Sequence, residues 1–92
     1  EPRKRVYEDF EAPQFVIARA ELNQDTLSAE ITSNEELIKL EIYAGNKWLD
    51  TIQTNGSEID VRITNEVYKA NSRLEIYAYD KYLNCSVESL EI

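Results

Sequence analysis

The sequence predicts an all-β domain, an antiparallel β-sandwich of about seven short strands, on three observations. Ile, Val, Thr and Tyr supply 25 of the 92 residues, and these side chains suit a pleated, half-buried surface. Apolar and polar residues alternate with period two in run after run, which gives each run one buried and one wetted face. Polar or glycine-containing turn signals recur every eight to twelve residues or so.

The elements follow in order. A first strand runs from about Gln14 to Leu22, and Asn23, Gln24 and Asp25 separate it from a second in which Leu27, Ala29 and Ile31 face inward. Ser33, Asn34, Glu35 and Glu36 read as the next connection. A third strand alternates Ile38, Leu40, Ile42 and Ala44 against Lys39, Glu41 and Tyr43, and Gly45-Asn46 turns it into a fourth around Trp48 to Gln53. Asn55-Gly56 is the clearest hairpin signal, because a type I′ turn needs positive φ at both central positions. Ile59, Val61 and Ile63 mark the fifth strand. Asn65 to Ser72 is the longest connection, with room for one helical turn. Leu74, Ile76 and Ala78 then mark the sixth strand, Asp80 to Asn84 is a polar turn, and Cys85 to Ile92 is the last strand. Strand number and alternation suit a small barrel as well.

Leu40-Glu41-Ile42-Tyr43-Ala44 recurs 34 residues later as Leu74-Glu75-Ile76-Tyr77-Ala78. Two copies of a strand pattern do not make a solenoid. They are expected to lie side by side in one sheet, where similar sequences meet similar surroundings.

A chain of 92 residues encloses one core, so a single domain is expected at 13–92, preceded by a charged linker at 1–12 that ends at Pro13. Tyr7 and Phe10 are the residues of that linker able to fold back on the domain. The first residue is Glu1, with no Met before it, and the segment is read as part of something longer. Eighteen acidic against ten basic residues leave a net charge of −8, which repels nucleic-acid phosphates and anionic lipid, so neither is an expected partner. Arg3, Lys4 and Arg5 are offset by Glu1, Glu8, Asp9 and Glu11. The chain has no histidine and one cysteine, Cys85, which rules out an intrachain disulfide and is read as a small buried hydrophobe. With two glycines there is no phosphate loop, and the adjacent Glu35 and Glu36 suit a solvated turn better than an acid and base pair. No enzyme activity, catalytic residue, cofactor or metal is expected.

Two stretches, Asp9-Phe10-Glu11-Ala12-Pro13 and Leu74 through Asn84, resemble bacterial immunoglobulin-like modules of the fibronectin-III-like kind. Asp9-Phe10-Glu11-Ala12-Pro13 is similar to the Asp-x-x-Ala-Pro boundary that opens such modules, and Leu74-Glu75-Ile76-Tyr77-Ala78-Tyr79-Asp80 through Asn84 is similar to their closing strand and Asn turn. Leu37 to Leu49 looks like the strand, Gly turn and strand between them. The resemblance covers Asp9 to Ile92, and departs from the pattern at Leu83, where Gly commonly precedes Asn, and at Ala70-Asn71-Ser72. It implies an immunoglobulin-like β-sandwich acting as a non-catalytic spacer or interaction module in a secreted or cell-surface protein, with neighbouring domains as its partners.

The sharpest candidate site is aromatic. Tyr43, Tyr77 and Tyr79 fall on the face opposite the core residues, and Trp48 and Tyr82 lie near its turns. Such rings stack on sugars or anchor protein interfaces, so Tyr43, Trp48, Tyr77 and Tyr79 are the expected ligand-binding residues, for carbohydrate or another protein. The competing reading makes Tyr43 and Tyr77 an ordinary cross-strand pair and places Trp48 over a core edge. Asp80 is read as fixing its own turn. The other use for it is a calcium joint with Asp9.

Overall fold

The computed structural model describes residues 12–66, Tyr68 and 73–91. The linker residues 1–11, including Tyr7, Asp9 and Phe10, lie outside them. The domain is all-β and antiparallel: β1 (Phe15–Asn23), β2 (Thr26–Ala44), β3 (Lys47–Thr64), β4 (Arg73–Tyr79) and β5 (Cys85–Glu91). Five strands stand where seven are expected from the sequence, because two of the expected breaks are crossed by extended chain.

The first is at Ser33 to Glu36. Asn34 N donates to Gln14 O at 2.9 Å and Asn34 Oδ1 accepts from Gln14 N at 2.9 Å, which holds this stretch extended beside the start of β1. The second is at Asn55-Gly56, where no hairpin forms. Folding back there would strip β2 of a partner, whereas extended chain lets Ile59, Val61 and Ile63 pair with Ile31, Ala29 and Leu27. Long-range pairing overrides the local turn preference. Gly56 instead has φ 148 and sits opposite Leu37 in an irregular stretch of the ladder. The tight turn that does form is Gly45-Asn46, where positive φ at Gly45 alone suits a type II′ turn closing Ala44 onto Lys47.

β2 is the spine. Its first part pairs with β1 and with residues 58–64 of β3, and its second part pairs with residues 47–56 of β3 and with β4, which in turn carries β5. Between Thr32 and Leu37 the ladder with β3 is interrupted. A straight 19-residue strand is about 60 Å long, longer than the largest dimension of the molecule, 51 Å, so β2 bends. The inward residues also change parity, from Leu27, Ala29, Ile31 and Leu37 to Leu40 and Ile42, across a register shift between Leu37 and Lys39. A bulge that adds one residue produces that change.

One apolar cluster serves both parts: Phe15, Leu27, Ala29, Ile31 and Val61 are buried with Leu40, Ile42, Leu49, Tyr68, Leu74, Ile76 and Ala78. The 34-residue echo is a pair of ladder neighbours, with Leu40 opposite Ala78 and Ile42 opposite Ile76. Buried Pro13 precedes β1, and its carbonyl accepts a hydrogen bond from Ser86 Oγ at the start of β5. The connection after β3 holds the expected single turn, closed by Tyr68 N donating to Asn65 O at 3.0 Å.

Leu83 has φ 66, a left-handed conformation that suits glycine, while its side chain is 63% exposed. A left-handed backbone costs a β-carbon-bearing residue about 1–2 kcal/mol. The substitution Leu83→Gly is therefore expected to stabilise the fold by roughly 0.5–1 kcal/mol after the entropy of the unfolded glycine is set against it. Thermal unfolding checks this: the midpoint should rise by a few degrees.

Candidate functional site

The outer face of β2, β3, β4 and β5 is set by register. Residues opposite one another share a face, so one row reads Trp48, Tyr43, Glu75, Ser89 and the next Thr51, Glu41, Tyr77, Val87. A third reads Gln53, Lys39, Tyr79, Cys85. Trp48 lies on this face because a bulge places Tyr43 opposite Trp48 after Ile42 opposite Asp50, turning Leu49 into the core.

All four expected binding residues thus lie on one surface, in different states. Trp48 is 53% exposed and its indole N–H donates to Thr51 Oγ1 at 2.9 Å, which fixes the ring on the face. Tyr43 and Tyr77 are half-buried diagonal neighbours, ring centres 4.8 Å apart and planes tilted by 57°. Tyr79 is engaged within the fold: its hydroxyl donates to Glu41 Oε1 at 2.6 Å and the Lys39 ammonium sits 4.4 Å from its ring centre. The hydrogen bond to Glu41 and then burial push the Tyr79 phenol well above its usual range. Burial first, and Glu41 second, raise Tyr43 as well. Val87, 45% exposed beside Tyr77, joins the face unannounced by any sequence signal other than the alternation of β5.

No protein-family model matches the chain, and neither does any curated protein or solved structure.

Tyr82 lies apart from this face, at the tip of the turn beyond Tyr79, with Lys81 5.3 Å from its ring centre. Cys85 is half-buried on the face and not in the core as expected, and burial, with Glu41, raises its thiol against opposing effects of Tyr79 and Lys39. A thiol so raised is a poor nucleophile at neutral pH. Asp80 is 2% exposed; burial alone would raise its carboxyl, but hydrogen bonds from Asn84 and Tyr82 outweigh burial and hold it below the usual carboxylate range. Elsewhere a depression of about 280 Å³ crosses β1, β2 and β3, lined by Arg19, Glu21, Glu30, Asp60 and Arg62. Its charges alternate across the strands, with Arg19 3.9 Å from Glu30, so they largely answer one another. Among the described residues no group of three or more His, Cys, Asp or Glu is placed to hold a metal ion.

Proposed function

We propose that this chain is an immunoglobulin-like, fibronectin-III-like β-sandwich that acts as a non-catalytic spacer and interaction module of a larger secreted or surface-attached bacterial protein. The strand grouping supports the sandwich. Counted at their pairing breaks, β2 and β3 each contribute to two groups: β1 with the first part of β2 and the last part of β3, and the remaining parts with β4 and β5. Three strands over four, about one shared core, is the arrangement such a module needs.

The observation that carries the spacer role is where the chain enters and leaves. Pro13 is tied to Ser86 at one end of β5, and Glu91, at the other end, pairs with Arg73. Entry and exit at opposite ends let modules join in series. Two copies joined head to tail should therefore scatter X-rays as an extended pair, with a maximum dimension well above the 51 Å of one module. A maximum dimension that stays close to 51 Å would mean side-by-side packing and would defeat the spacer reading.

A second role is favoured by one feature: Trp48, Tyr43, Tyr77 and Val87 form an unbroken apolar path over the outer face. Tyr and Trp anchor protein interfaces, and the 57° tilt between Tyr43 and Tyr77 denies a flat sugar chain a common platform. The face therefore suits a protein partner better than a carbohydrate.

A further inference from the structure

The outer face carries two acid and aromatic positions, and only one is complete. At the first, the Lys39 ammonium lies 4.4 Å from the Tyr79 ring centre and 3.9 Å from Glu41 Oε2, while the Tyr79 hydroxyl bonds Glu41 Oε1. Cation, ring and carboxylate satisfy one another. The second position is built on Glu75, which answers Glu41 in the 34-residue echo as Arg73 answers Lys39, with Tyr77 beside it. Glu75 lies across the ladder from Tyr43, Tyr77 follows two residues on, and Trp48 stands beyond Tyr43.

Here a cation is present, but one carboxylate oxygen is left unmet. Arg73 lies 3.8 Å from Glu75 Oε2 through Nε and directs Nη2 to Ser89 Oγ at 3.0 Å. Glu75 Oε1 is closed off from solvent with no hydrogen-bond partner among the described residues. A buried acceptor without a donor costs free energy, and a carboxylate costs more than a neutral group. The Glu75 side chain as a whole is 22% exposed, so a donor arriving from outside reaches it after a small rotation of the carboxylate.

We infer that the Glu75, Tyr43, Tyr77 and Trp48 position receives an arginine side chain from a protein partner. This rests on the reading of the outer face as an interaction surface. A guanidinium is planar and donates in a fixed fork, so it can lie on a tyrosine or tryptophan face and bond a carboxylate at once. Trp48 and Val87 flank the position with apolar surface that shuts out water around such a contact. The net charge of −8 favours the approach of a basic segment over an acidic one.

The test is an amide NMR titration of the whole chain with two probes, a hexapeptide alternating arginine and serine, and a soluble β-glucan hexasaccharide. The peptide should give saturable shifts clustered at Tyr43, Trp48, Glu75 and Tyr77, weakened about tenfold in Glu75→Gln and weakened again by added salt. A Glu75→Gln spectrum that otherwise overlays the parent shows that the fold is intact. Equal affinity in Glu75→Gln would overturn the assignment of the arginine position. Shifts with the hexasaccharide and none with the peptide would overturn it too, yet leave the face an interaction surface. Shifts with neither would remove both readings.

Discussion

Alanine in place of Asp80 is expected to lower the unfolding free energy by about 2–4 kcal/mol, a large share of the 5–15 kcal/mol typical of a domain. Asp80 Oδ1 accepts the amides of Tyr82 and Asn84, both at 2.9 Å, and Oδ2 accepts the Asn84 side-chain amide at 3.3 Å. These bonds shape the turn that also closes through Asp80 N to Asn84 O and Leu83 N to Asp80 O. Alanine leaves the two amides without a partner and releases the strained backbone at Leu83. Urea unfolding measures the loss, and thermal unfolding should show a midpoint lower by roughly 15 °C. The conservative Asp80→Asn keeps one acceptor and should cost less. Because the folded-state carboxyl is held below its unfolded value, its contribution is present above the unfolded pKa and disappears as pH falls through the folded one. The gap between the parent and Asp80→Asn should accordingly narrow on acidification below about pH 4. A gap that stays constant with pH would show that the charge on Asp80 contributes nothing.

The second large effect is at Tyr68. The side chain is fully buried, and its hydroxyl donates to Asp50 Oδ2 at 2.6 Å, which also accepts the Asn65 side-chain amide at 2.8 Å. Asp50 lies opposite core residue Ile42. Tyr68 thus fills space and satisfies a carboxylate in the same place. Tyr68→Ala should cost about 3–5 kcal/mol through cavity and lost transfer energy, while Tyr68→Phe, which removes only the hydroxyl, should cost about 1–2 kcal/mol. Similar losses for both would mean that the hydrogen bond, and not the packing, dominates. Burial first, and Asp50 second, push the phenol far above its usual range. Its contribution is complete below the unfolded value and is lost as pH rises beyond about 10, so Tyr68→Phe should flatten the alkaline fall in stability.

The difference between Asn55-Gly56 and Gly45-Asn46 shows what was legible in the sequence. Both read as hairpin turns, and only the second becomes one, because at the first the edge of β2 offers Ile59, Val61 and Ile63 a better partner than a return along β3 does. Local turn chemistry carries no information about an edge thirty residues away. Most inward residues were legible from alternation, but the expected inward Ile38 gives way to Leu37, because the bulge between Leu37 and Lys39 changes the parity of the strand. Tyr68 was not legible, since a lone aromatic in a polar stretch has no periodicity to declare it buried. On the outer face, parity alone places Tyr43, Tyr77 and Tyr79 together. Register is needed to add Trp48, Glu75 and Val87, and side-chain geometry to show Tyr79 tied to Glu41 and Lys39.

The proposed spacer role depends on β2 and β3 bending so that their two parts enclose one core. Methyl NOE spectroscopy tests this directly, because Ile31 and Ile42 would lie about 36 Å apart along a straight strand. Cross-peaks joining methyls of Leu27, Ala29, Ile31 or Val61 to those of Leu40, Ile42, Leu74 or Ile76 are the expected result. Their absence, with each set showing contacts only within itself, would mean one open sheet and would contradict the sandwich.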